Sequence, residues 1–97
     1  MRAFYSDYVN HCLRFYARHP EPIFHSEADA KNWVACKNAF EDFNDYDKTM
    51  LLIIYSEGDT IPDNVYQLAK ARNMNQDTIW KLIGELERKV AKRRGII

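Results

Sequence analysis

The stretch Leu68-Ala69-Lys70-Ala71-Arg72-Asn73-Met74-Asn75-Gln76-Asp77-Thr78-Ile79 decides how this chain is read. Ala69 is a small residue of the kind needed where one helix is crossed closely by the next. Asn73, four places on, tolerates the left-handed backbone conformation that a tight turn demands. Met74 follows as the apolar residue of the turn. Asn75 can accept a hydrogen bond from a free backbone N–H and so cap a new helix. Ile79 and Leu82 then bring apolar side chains to the spacing that packs the second helix on the first. With Leu68 also apolar and no Pro inside, the stretch meets each local requirement of a helix-turn-helix. A plain helical hairpin needs similar apolar spacing and is the alternative.

Outward from this turn the whole chain reads as helical. Pro62 suits the first turn of a helix running to about Arg72, because its missing N–H would have no helical partner there. Downstream, Ile79, Ile83, Leu86 and Val90 form the stripe of a helix from Gln76 to Arg93, roughly 27 Å long. Upstream, Asn44 or Asp45 can cap a helix carrying Met50, Leu51, Ile53 and Ile54, with Gly58 ending it as a left-handed cap. Ser26 can cap another, with Glu27 and Asp29 at its positive end and Trp33, Cys36, Phe40 and Phe43 as its buried face. Phe4, Tyr8, Cys12 and Phe15 mark a first helix to Arg18, stopped by His19-Pro20-Glu21-Pro22. The expectation is an all-α fold of about five helices with a C-terminal helix-turn-helix. Residues 1–97 form a single domain, with bracing helices in 1–43 and the helix-turn-helix part in 44–97.

Composition narrows the function classes. The chain has 97 residues, 46% of them hydrophobic, with three Gly and three Pro, which suits a packed globule and excludes a low-complexity segment. Its longest apolar run, Met50 to Tyr55, is far short of the roughly 20 residues of a membrane span. No signal-peptide stretch builds up before Asp7, so a cytoplasmic protein is expected. Cys12 and Cys36, among apolar and helix-forming residues, read as reduced and mostly buried thiols, with a disulfide between them as the alternative. No close Cys or His pair has the spacing of a zinc site, the acidic residues Glu41, Asp42, Asp45 and Asp47 lack calcium-loop spacing, and no Gly-rich phosphate loop appears. No metal or other cofactor is expected, and no enzymatic activity.

Charge is distributed unevenly although the formal net charge is zero. Residues 1–60 hold six Lys or Arg against ten Asp or Glu, a balance of −4, and residues 61–97 hold eight against four, a balance of +4. The basic end finishes in Lys89, Lys92, Arg93 and Arg94, which are either phosphate contacts or a solvated helix end that complements the dipole. The aromatic first helix, with Phe4, Tyr5, Tyr8, Phe15 and Tyr16, either plugs the core or faces a partner, a second copy of the chain included.

Ile54-Tyr55-Ser56-Glu57-Gly58, Val65-Tyr66-Gln67-Leu68-Ala69 and Leu86-Glu87-Arg88-Lys89 together carry a family resemblance. From Phe43 to Arg94 the chain resembles the fourth region of bacterial sigma factors and the short sigma-like regulators of phages and mobile elements. It departs from them in Asp59 to Asn64, longer than the usual link, and in Asn73 standing in place of Gly. The resemblance implies a bacterial or phage DNA-binding protein of transcriptional control, with duplex DNA, and RNA polymerase or another regulator, as partners. It also implies that Asn75, Gln76, Asp77, Trp80 and Lys81 face DNA, at the start of a helix lying in the major groove. There Gln76 can pair with adenine, and Lys81 can reach guanine or phosphate. Asp77 suits the helix N-terminus better than a phosphate. Trp80 is either a groove-facing aromatic or a core residue beside Gly84, whose lack of a side chain leaves room for a neighbouring helix; the usual burial of Trp favours the core.

Overall fold

A computed structural model describes residues 3–97, and among these residues the structure is five α-helices and no strand. They are α1 (Ser6–Arg18), α2 (Glu27–Phe40), α3 (Asp45–Ser56), α4 (Ile61–Arg72) and α5 (Gln76–Arg93). Short polar side chains start the last four. Ser26, Asn44, Thr60 and Asn75 are extended N-caps whose oxygens accept from the backbone N–H of Asp29, Asp47, Asp63 and Asp77 at 2.8 to 3.2 Å. Each satisfies a donor that the first helical turn would leave bare. An acidic residue in the first turn of each helix adds a favourable interaction with its dipole.

The long α5 organises the packing. It contacts all four other helices, while α3 also packs on α1 and α4, and α1 on α2. Its stripe Ile79, Ile83, Leu86 and Val90 is buried, in one core with Val9 and Leu13 of α1, Cys36 and Phe40 of α2, and Met50, Leu51, Ile54 and Tyr55 of α3. The amino-terminal helices therefore cover the α5 stripe within one chain.

Three features of α1 and α3 differ from their sequence expectation. The first helix begins at Ser6, and Phe4 lies before it with 82% of its surface exposed, so this ring does not plug the core. On α3 the buried position is Tyr55 rather than Ile53, which is half-buried. Gly58 does not end α3 with a left-handed cap, since among the described residues only Asn73 and Gly95 have positive φ. The carbonyls beyond α3 are instead taken up from a distance. Arg14 donates to Glu57 O at 3.0 Å and Asp59 O at 2.6 Å, Arg18 donates to Glu57 O at 2.8 Å, and the buried Asn64 amide donates to Ile54 O at 2.8 Å. The guanidinium and amide donors do the work of a cap. They also fix α1 and the start of α4 against the end of α3.

Both thiols are reduced and buried. Burial raises the Cys12 pKa and pushes that of Cys36 up to about 12, with Cys12 adding to the Cys36 shift. The folded state thus holds a proton that an unfolded thiol loses near its ordinary value of 9.0. The resulting stabilisation is complete below about pH 9 and fades between about pH 9 and 12, at about 1.4 kcal/mol per pH unit for one group. We expect the Tm to fall as pH is raised from about 8 to 10.5, and Cys36→Ala to flatten the fall. An equally steep fall in the variant would assign the alkaline instability elsewhere.

Candidate functional site

The junction between α4 and α5 consists of Asn73, Met74 and Asn75. Asn73 is left-handed at φ 53°, ψ 49°, and Met74 N–H donates to Ala69 O at 2.9 Å. This closes the end of α4 through a carbonyl that a continuing helix would have used. Ala69 is 4% exposed, as a close crossing at that point requires, and Leu68, Val65 and Ile79 are buried with it. Met74 and Leu82 are only half-buried, packed at the margin of the core. From α3, Tyr46 directs its hydroxyl to Met74 Sδ at 3.7 Å, and the Arg72 guanidinium lies 5.1 Å from the Tyr46 ring centroid. The cation–π contact ties the turn to the start of α3.

Beyond this turn, α5 divides into a buried side and an outer side. Gln76, Asp77 and Lys81 are exposed. Asn75 is also exposed, although its side-chain oxygen is engaged as the cap. Trp80 is 38% exposed, which corrects the core expectation. The companion argument for Gly84 fails as well: a Cβ built there meets nothing within 4 Å, so no helix packs closely against it. Trp80 and Gly84 instead line a groove of about 710 Å³ with Ile61 and Pro62 of α4 and Asn10 and Arg14 of α1. Trp80 stands roughly 100° round the helix from Ile79 and three residues before Ile83, at the flank of the buried stripe, so one side of its ring meets the groove and the other meets solvent.

The four basic residues at the end of α5 do not share one face. Lys89 Nζ and Arg93 Nη2 both reach Asp42 Oδ2, at 3.4 and 3.3 Å, and the Arg93 hydrogen bond is the main reason the Asp42 carboxyl is held below its usual range. Arg94 Nε donates to Asn32 Oδ1, and Asn32 in turn donates to Tyr8 OH at 2.8 Å. Lys92 is exposed. The expected phosphate patch is thereby split, because Lys89 and Arg93 turn toward the α2–α3 link while Lys92 shares the side of Lys81.

Sequence reading passed over Arg88. It is exposed, seven residues after Lys81 and four before Lys92, so the three cations form one row along the helix. That spacing was the available signal. Also missed was a polar chain beneath the groove. Tyr55 OH, on a fully buried side chain, donates to Asn10 Oδ1 at 2.7 Å; Asn10 Nδ2 donates to Glu87 Oε2 at 2.8 Å, and Ser6 Oγ donates to Glu87 Oε1 at 3.3 Å. Pairing by tertiary contact satisfies these groups, and no local pattern signals it.

No group of three or more His, Cys, Asp or Glu among the described residues is placed to hold a metal ion. Among the described residues, no helix is long and apolar enough to cross a membrane. Comparison with protein-family models, curated proteins and solved structures finds no significant match.

Proposed function

We propose that the chain is a duplex-DNA-binding protein of transcriptional control in a bacterial or phage cytoplasm, with α4 and α5 as its helix-turn-helix. One observation carries this reading. A tight left-handed turn at Asn73 joins α4, in which Ala69 is buried, to α5 and leaves Gln76, Asp77, Trp80 and Lys81 exposed on its first turns. A helix entered this way presents its N-terminal side chains to a major groove, with Gln76 suited to adenine and Lys81 to guanine or phosphate. The row of Lys81, Arg88 and Lys92 follows the backbone, and Asp77 serves the helix N-terminus.

The roles separate by experiment. Lys81→Ala is expected to lower the salt slope of duplex binding by about one unit, and Gln76→Ala to relax base preference by about 1 to 3 kcal/mol with the slope unchanged. Salt-dependent titrations of matched and mismatched duplexes measure both. Unchanged binding in both variants would remove α5 from the interface.

A specific feature favours a second reading, a surface for RNA polymerase or another regulator. The outer side of α5 carries Asp77 and Glu85 as well as Lys81 and Arg88, all exposed, beside the Trp80 groove. Such a mixed face with an aromatic suits a protein partner.

A further inference from the structure

The α2–α5 side of the molecule has a second set of cations, and each is held by a partner within the chain. Lys31, Arg93 and Arg94 line a shallow groove of about 650 Å³ with Val34 and Asn38. Lys31 pairs with Glu27 at 3.4 Å, Arg94 bonds to Asn32, and Arg93 shares Asp42 with Lys89. Asp42 is the pivotal partner, since one carboxylate oxygen accepts from two cations spaced four residues apart on α5. Lys89, Arg93 and Asp42 side chains are 32%, 41% and 40% exposed. Pairs this open contribute little to stability and weaken with salt. A phosphate or sulfate oxygen offers the same charge and the same acceptor geometry. The contact is therefore weak enough to exchange for an incoming anion, and it hides the two cations until it does.

We propose that Asp42 is an internal competitor for polyanions: it occupies Lys89 and Arg93, and the α2–α5 side engages a sulfated or phosphate backbone only when that backbone displaces the carboxylate. The DNA reading above supplies the natural polyanion, but the exchange itself does not depend on groove docking.

The test compares the parent chain with Asp42→Asn, Glu41→Gln and Asp42→Asn combined with Arg93→Gln. Glu41 is exposed one residue earlier and has no ion pair among the described residues, so Glu41→Gln makes the same change in net charge without releasing a cation. The readouts are the salt concentration of elution from heparin and the salt slope on a random-sequence duplex, with helical circular dichroism verifying the fold. Asp42→Asn is expected to elute at higher salt than Glu41→Gln, to steepen the duplex slope by about one to two units, and to lose most of that gain when Arg93→Gln is added. Equal shifts for Asp42→Asn and Glu41→Gln, or a gain that survives Arg93→Gln, would overturn the proposal. A preserved difference on heparin with no duplex binding by any form would sustain the exchange and reject the DNA reading instead.

Discussion

Leu86→Ala is expected to cost about 3 to 5 kcal/mol, and Ile83→Ala about 2 to 4 kcal/mol, in denaturant unfolding. Leu86 is 0% and Ile83 2% exposed, midway along the helix that contacts the other four. Truncation removes the transfer free energy of buried methyl groups and leaves a cavity that four fixed helices cannot collapse into. Losses within about 0.5 kcal/mol would mean that α5 projects into solvent. Because α1 and α2 cover this stripe within one chain, the destabilisation should not depend on protein concentration.

The second large effect lies in the polar chain below the Trp80 groove. Asn10→Leu is expected to destabilise by about 2 to 4 kcal/mol, since it strands the hydroxyl of Tyr55 in the core and removes a donor from Glu87. Burial already drives the Tyr55 pKa upward, so ionisation offers no escape. Tyr55→Phe in the Asn10→Leu background should recover about 1 to 2 kcal/mol, because a buried phenyl ring needs no acceptor. A double-mutant cycle read by urea unfolding measures the recovery. Strict additivity of the two changes would show that the 2.7 Å contact contributes nothing to the fold.

What could be read in the sequence follows from how far each interaction reaches along the chain. The caps Ser26, Asn44 and Asn75, the start and end of α5, and the left-handed Asn73 were legible because each acts over two to four residues. Apolar periodicity likewise identified Ile79, Ile83, Leu86 and Val90 as core. The end of α3 was not legible, because its carbonyls are satisfied by Arg14 and Arg18, 43 and 39 residues before Glu57. Tyr55 was passed over for the same reason: its hydroxyl partner is 45 residues away, and without that partner a buried phenol looks less suitable than Ile53.

The candidate site shows the same limit. The outward placement of Asp77 and Lys81 follows from helical geometry relative to Ile79, two residues from each, whereas Gln76 shares the side of Ile79 and is exposed at the opening of α5. Trp80 was misread because the usual burial of Trp outweighed its position on the helix, and the open space beside Gly84 has no local signature. Lys89 and Arg93 looked free in a basic run, whereas Asp42, 47 and 51 residues away, takes both. Charge segregation along the sequence therefore overstated the basic surface of α5.

The claim that α5 docks on duplex DNA is tested most directly by titrating a short, labelled, random-sequence duplex with the unmodified chain at about 50 and about 200 mM salt, read by fluorescence anisotropy. The account predicts saturable binding at the lower salt and a steep loss at the higher one, as phosphate contacts from Lys81, Arg88 and Lys92 give way to counterions. No binding at about 50 mM salt would contradict it and leave the outer face of α5 as a surface for a protein partner.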